Sequence, residues 1–210
     1  MKENDKVYND KKDVDFLLEV IENAINLVEE PYYNLRTTYE PNGIVRERVF
    51  CYELYHRMRC ILEERKATRL TLNGEVDKRG HINFKRKDRK NPDFVFHMPG
   101  SMEGNTIVVE VKGKATSSYL DACLKDFNTI VTFVSKYRYR VGVFILYNYS
   151  KCPFELVERL QEEYGSKLRN EISRNIYVIC RKYGMAINIT SLYEILCKWK
   201  IEVVYIKILC

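Results

Sequence analysis

The sequence predicts an α/β protein in which helices flank a mixed sheet, and three observations predict it. Apolar residues recur at helical spacing at Phe16, Leu17, Val20, Ile21, Ala24, Ile25 and Val28. Leu70, Leu72 and Val76 alternate with Thr71, Asn73 and Glu75, the two-residue period of a half-buried strand. Residues 139–147, Tyr-Arg-Val-Gly-Val-Phe-Ile-Leu-Tyr, read as a strand buried on both faces, which requires cover on each side of a sheet.

Taken in chain order, the first helix spans 13–30, with Pro31 after its end. Pro41, Asn42 and Gly43 form a turn, and a second helix follows over 44–66. The first strand spans 69–77, and a basic segment over 78–91 leads to a short strand from Asp93 to His97. Pro99, Gly100 and Gly104 turn the chain into a third strand, 106–112. A helix over 118–136 carries Leu120, Leu124, Phe127, Ile130, Val131 and Val134, and the strand at 139–147 comes next. Beyond it we expect a helix over 154–167, strands at 176–180 and 185–189, a short helix, and a terminal strand over 201–209. No repeat or linker divides the chain, so residues 13–210 read as one domain behind a flexible tail, 1–12.

The chain has 210 residues and a formal net charge of +6, a modest basic bias compatible with a polyanionic partner. No apolar stretch approaches the roughly 18 residues of a spanning helix, and the polar start is not a secretory signal. A membrane partner is therefore not expected, and a cytoplasmic location is. Seven cysteines without a CxxC pair read as reduced thiols, core or half-buried. His56, His81 and His97 make no Cys/His cluster for zinc. Lys85, Arg86, Lys87, Arg89 and Lys90 form a basic run broken only by Asp88. It reads either as a solvated loop or as a phosphate-contacting one.

Chemistry concentrates on the third strand. Ile107, Val109 and Val111 share one face, while Val108, Glu110 and Lys112 share the other. Asp93 opens the preceding strand after Pro92, which cannot donate to a ladder and so belongs at a strand start. A hairpin between the two strands sets Asp93 beside Glu110. Adjacent carboxylates repel unless a cation lies between them, and oxygen ligands of this kind suit Mg²⁺, with Mn²⁺ able to substitute. A lysine alongside can hold an attacking water or stabilise charge developing on a phosphorane. The bare pattern, Pro-Asp and then Glu-x-Lys within about 20 residues, arises by chance in roughly one chain in twenty. Its placement on two strands read independently is what gives it weight.

The stretch Pro92-Asp93-Phe-Val-Phe-His, then Ile-Val-Val-Glu110-Val-Lys112-Gly, resembles the PD-(D/E)xK nuclease superfamily. A fuller likeness to small stand-alone members runs over about 44–147. It takes in Glu47 ahead of Leu54, Glu75 on the first strand, Asp126 on the next helix, and Tyr-Arg-Val-Gly-Val-Phe-Ile-Leu. The resemblance implies a restriction-endonuclease-like core, an α-β-β-β-α-β mixed sheet flanked by helices, here with a C-terminal α/β extension. It implies Mg²⁺-dependent hydrolysis of phosphodiester bonds, with nucleic acid as partner and DNA ahead of RNA. The chain departs from such members after Asp126, where Asn128 and Thr129 stand in place of a lysine.

The superfamily adds an acid from its first core helix. Glu47 lies within about 20° of Leu54 on a helical wheel, on the side of Phe50, Met58 and Ile61; Glu53 lies about 100° away. Glu47 is therefore the expected site acid, and Glu53 a surface charge or partner of Arg57. The expected catalytic set is Glu47, Asp93, Glu110 and Lys112, and the expected metal ligands are Asp93, Glu110, Glu47 and Glu75. Glu75 is open between joining the site and facing water. His97 reads as a structural histidine, and Tyr137 and Tyr139 with Arg138 and Arg140 as the start of a strand. The alternative function is a catalytically inactive nucleic-acid-binding module of the same fold. Residues 151–210 are open to adding strands, a partner surface or a homodimer interface.

Overall fold

The computed structural model describes residues 10–65, 70–75, 84–99, 104–113, 119–165 and 167–197. Its centre is an open sheet of six strands in the order β1-β2-β3-β4-β5-β6. These are β1 (Thr71–Gly74), β2 (Phe94–His97), β3 (Ile107–Lys112), β4 (Val141–Tyr147), β5 (Ile176–Arg181) and β6 (Asn188–Ser191). The pairs β1/β2, β2/β3 and β5/β6 are antiparallel, whereas β3/β4 and β4/β5 are parallel. The sheet is therefore mixed, and β3 and β4 lie inside it.

Strand alternation divides the core into two layers. Phe94, Phe96, Ile107, Val109, Val111, Val143 and Ile145 face α1 (Asp10–Leu27), α2 (Glu30–Tyr33) and α3 (Glu47–Arg65). Val95, Val108, Phe144, Leu146, Val178 and Cys180 face α4 (Tyr119–Lys136) and α5 (Phe154–Tyr164). All of β4 is buried, as its apolar sequence predicts. The β3–α4–β4 crossover joins parallel neighbours, so α4 must pack back onto the sheet. Gly142 makes that packing close, because a Cβ there would collide with the Ile130 side chain of α4. Gly142→Ala is expected to cost about 1–3 kcal/mol, the usual penalty of overpacking. A lowered urea midpoint with unchanged slope would register it.

Several elements differ from expectation. The first helix starts at Asp10 and stops at Leu27, and Pro31 sits in the first turn of α2, where its missing N–H costs nothing. Strand β1 ends at Gly74. Glu75 takes a left-handed φ of 45° and leaves the strand, so it does not continue the polar face of β1. The strand expected from Met185 runs from Asn188 instead, because a turn closed by the Met185 amide on the Lys182 carbonyl delays it. A short helix, α6 (Asn170–Arg174), was not anticipated. Residues 192–197 are helical. The strand expected over 201–209 and most of the tail lie outside the described residues.

Glu53 is the expected partner of Arg57, accepting a 2.6 Å hydrogen bond from its Nε, but at 8% exposed it is not a surface charge. The two tyrosines at the start of β4 are core residues, with Tyr137 and Tyr139 both buried. His97 faces Asn73 Oδ1 at 2.8 Å, a structural contact. Of the described cysteines, Cys51, Cys123 and Cys180 are buried, Cys60, Cys152 and Cys197 half-buried, and none is paired. No described helix is long and apolar enough to cross a membrane.

Candidate active site

Register builds the site. Phe94 pairs with Val109 across the β2/β3 hairpin, and continuing that register by one residue sets Asp93 against Glu110. The Val111 amide donates to Asp93 Oδ2 at 2.7 Å, which fixes the carboxylate at the strand start. The two carboxyl groups also share a hydrogen bond. Glu110 is 6% exposed, and Asp93 is half-buried.

Burial and charge crowding dominate the pair. Burial pushes Asp93 up to about 6; the Glu47 charge adds to this and the Val111 amide offsets part of it. Burial and then the neighbouring Asp93 hold Glu110 well above the usual carboxylate range. The shared hydrogen bond favours ionised Asp93 and protonated Glu110, so one proton serves both groups.

Lys112 ends β3 on the Glu110 face, and its ammonium reaches acids from both helical layers. Nζ lies 3.0 Å from Glu47 Oε2 and 2.9 Å from Asp126 Oδ2. Burial lowers the affinity of this amine for its proton, but Asp126 and Glu47 more than reverse that, and Lys112 stays charged. Glu47 is the first residue of α3, where the helix dipole favours an acid. Phe50, one turn on, stacks on Tyr147 at the end of β4 with centroids 4.1 Å apart and planes 2° apart. That contact holds the helix start over the sheet end. Gly113 follows Lys112 because a Cβ there would collide with the Tyr147 ring and with Val45.

The structure thus brings together four expected residues, Glu47, Asp93, Glu110 and Lys112. Asp126 joins them without having been counted among the site residues. On a helical wheel Asp126 lies about 40° from Ile130 and about 60° from Cys123, at the edge of the buried stripe of α4. That phase was the available signal. Cys51 was missed as well; its thiol sits among these acids, and burial, then Asp93, Glu47 and Glu110, keep it neutral. Glu75 lines the same cavity as Glu47 and Asp93, but its exposed carboxylate lies 3.5 Å from Arg48.

Among the described residues, no group of three or more His, Cys, Asp or Glu is gathered into a metal-holding arrangement. The acids instead engage Lys112, the Val111 amide and one another. Compared with family models, with curated proteins and with solved structures, the chain matches none of them.

Proposed function

We propose that the chain is a metal-dependent nuclease that hydrolyses phosphodiester bonds in DNA through a PD-(D/E)xK site formed by Glu47, Asp93, Glu110 and Lys112. The observation that carries this reading is the pairing of half-buried Asp93 with buried Glu110, with charged Lys112 one step along the same strand face. The order of α3, a β1–β2–β3 meander, α4 and parallel β4 supports a restriction-endonuclease-like core.

The donors that Asp93, Glu110 and Glu47 offer are all oxygen, the chemistry a hard divalent cation prefers, and burial and crowding raise both central acids, which a cation would relieve. Asp93 and Glu110, with Glu47 nearby, would hold Mg²⁺ or Mn²⁺. A bound ion of this kind supplies positive charge to a phosphoryl oxygen and lowers the pKa of a coordinated water. Lys112 stabilises negative charge developing on the phosphorus oxygens. Glu47 and Asp126 keep that ammonium charged and aimed at the strand end. The Val111 amide orients Asp93.

Phosphate binding away from the chemistry falls to the basic run. A 3-10 turn, Arg86–Asp88, orders it, and Asp88 is buried against Tyr137 Oη at 2.9 Å and Lys136 Nζ at 3.6 Å. Lys85, Arg86, Lys87 and Lys90 remain exposed. Neutralising these four should flatten the salt dependence of DNA binding by about 0.9 in log–log slope for each phosphate that is no longer neutralised. An unchanged slope would return the run to a solvated loop.

Cleavage of DNA in Mg²⁺ is the direct test. Asp93→Asn, Glu110→Gln and Lys112→Met are each expected to lower kcat by at least about 10²-fold. Retained cleavage in all three would overturn the assignment. The engagement of Lys112 by two carboxylates favours, as a second reading, an inactive nucleic-acid-binding module. DNA binding without cleavage by the wild type would select it.

A further inference from the structure

Beside the paired carboxylates lies an open cavity of about 630 Å³, within the size range of small-molecule sites. Asp93 and Glu47 of the candidate site are among its lining residues. One wall is a stripe of α3, Arg48, Tyr52 and Tyr55, residues that fall within about 60° of one another on a helical wheel. The other wall is the end of β1, Asn73 and Gly74, with Glu75 beyond it.

The wall chemistry restricts the occupant. Glu47, Glu75 and Asp93 set three carboxylates against the single guanidinium of Arg48, so a phosphate is disfavoured inside the cavity. Tyr52 presents a ring that is 65% exposed, an unusual state for a large aromatic residue on a helix otherwise anchored in the core. Tyr55 is fixed, its hydroxyl donating to the Leu72 carbonyl at 3.4 Å and its ring stacked near Phe94. Asn73 Oδ1 is engaged by His97, which leaves the amide NH₂ as the group Asn73 can offer. A neutral, planar, aromatic ligand with hydrogen-bonding edges satisfies these walls. Stacking on an exposed ring is tolerant of base identity, and carboxylates accept from exocyclic amino groups.

We propose that this cavity is a base pocket, which takes the base of an unpaired nucleotide while the adjoining phosphate lies at Asp93, Glu110 and Lys112. The inference rests on the nuclease reading for the identity of that phosphate. It makes the substrate single-stranded, or frayed at the point of cutting, because a base paired within a duplex cannot enter a side pocket.

Tyr52 is exposed, so replacing it does not threaten the fold. The 210-residue chain in EDTA, where no cleavage is expected, is titrated with a fluorescent single-stranded oligodeoxynucleotide and with a blunt duplex. Tyr52→Ala is expected to weaken single-strand binding about tenfold, within the range for loss of one base stack, with duplex binding unchanged. Tyr52→Phe should bind as the wild type does. A 5-iodouracil photocrosslink in the single strand should map to Tyr52 or Tyr55. Equal single-strand affinity for Tyr52→Ala and the wild type, or crosslinks confined to other segments, would overturn the pocket. Added Mg²⁺ separates this from the function. Tyr52-dependent binding without cleavage upholds the pocket and removes the nuclease, whereas Glu110-dependent cleavage with Tyr52→Ala binding like the wild type removes only the pocket. No binding of either oligonucleotide removes both.

Discussion

Asp93→Asn is expected to abolish cleavage and yet make the metal-free protein more stable above neutral pH. The sign follows from linkage. Asp93 titrates at about 6 in the fold against an ordinary 3.8, so the folded state binds its proton more tightly than the unfolded chain does. Below about pH 4 the group is protonated in both states and contributes its full favourable share. That share is lost as pH rises from about 4 through 6, and above 6 the fold bears the whole cost of a buried, crowded carboxylate. A displacement of this size corresponds to about 3 kcal/mol, part of which the amide variant recovers. Urea unfolding in EDTA should therefore show Asp93→Asn more stable than wild type by roughly 1–3 kcal/mol at pH 8, and near parity at pH 4. Glu110→Gln should act in the same direction at high pH, since burial also raises Glu110. Added Mg²⁺ should stabilise the wild type more than either variant, because a ligand of the folded state adds stability by mass action. Variants less stable than wild type at pH 8 would mean that the pair is not under charge strain.

Lys112→Met should do the opposite. It removes the ammonium that lies 3.0 Å from Glu47 and 2.9 Å from Asp126 while keeping a side chain of similar length. Glu47 and Asp126 are then left beside crowded Asp93 and Glu110 without a counter-charge. Breaking one partner of a buried pair costs about 3–5 kcal/mol, and the partial exposure of Glu47 and Asp126 reduces this to roughly 2–4. The Lys112 proton is held more tightly in the fold than in the unfolded chain, so its contribution is complete below about pH 10 and is lost only above that. The double variant Lys112→Met/Asp126→Asn should recover part of the stability at pH 8, and no recovery would show that Lys112 acts through packing alone.

The sequence made the sheet phase legible because burial follows period-two patterning: Val108, Glu110 and Lys112 share one face, and Val95 follows Asp93 on the facing strand. Glu47 was legible for a similar reason, being in phase with Phe50 and Leu54 on α3. Asp126 was less so, since its position depends on how α4 rotates against β3, a tertiary fact that no local pattern fixes. Glu53 was half legible: its i,i+4 pairing with Arg57 follows from helical spacing, whereas its burial depends on how the helices pack, because a wheel ranks angle and not depth. The alternation held for Leu70 and Leu72, but the left-handed backbone at Glu75 ends β1 at Gly74, three residues short of the expected 77.

Lys112 touches α3 on one side of the sheet and α4 on the other, through a single nitrogen atom. Helical layers on opposite faces of a sheet communicate ordinarily only through the strands between them. Here one ammonium ties them directly at the strand end, so a ligand that draws Glu47 or Asp126 away loosens both helices at once. Amide hydrogen exchange in the first turn of α3 and the N-terminal half of α4 would then rise together, making the fraying of two distant chain segments a joint readout of what occupies the site.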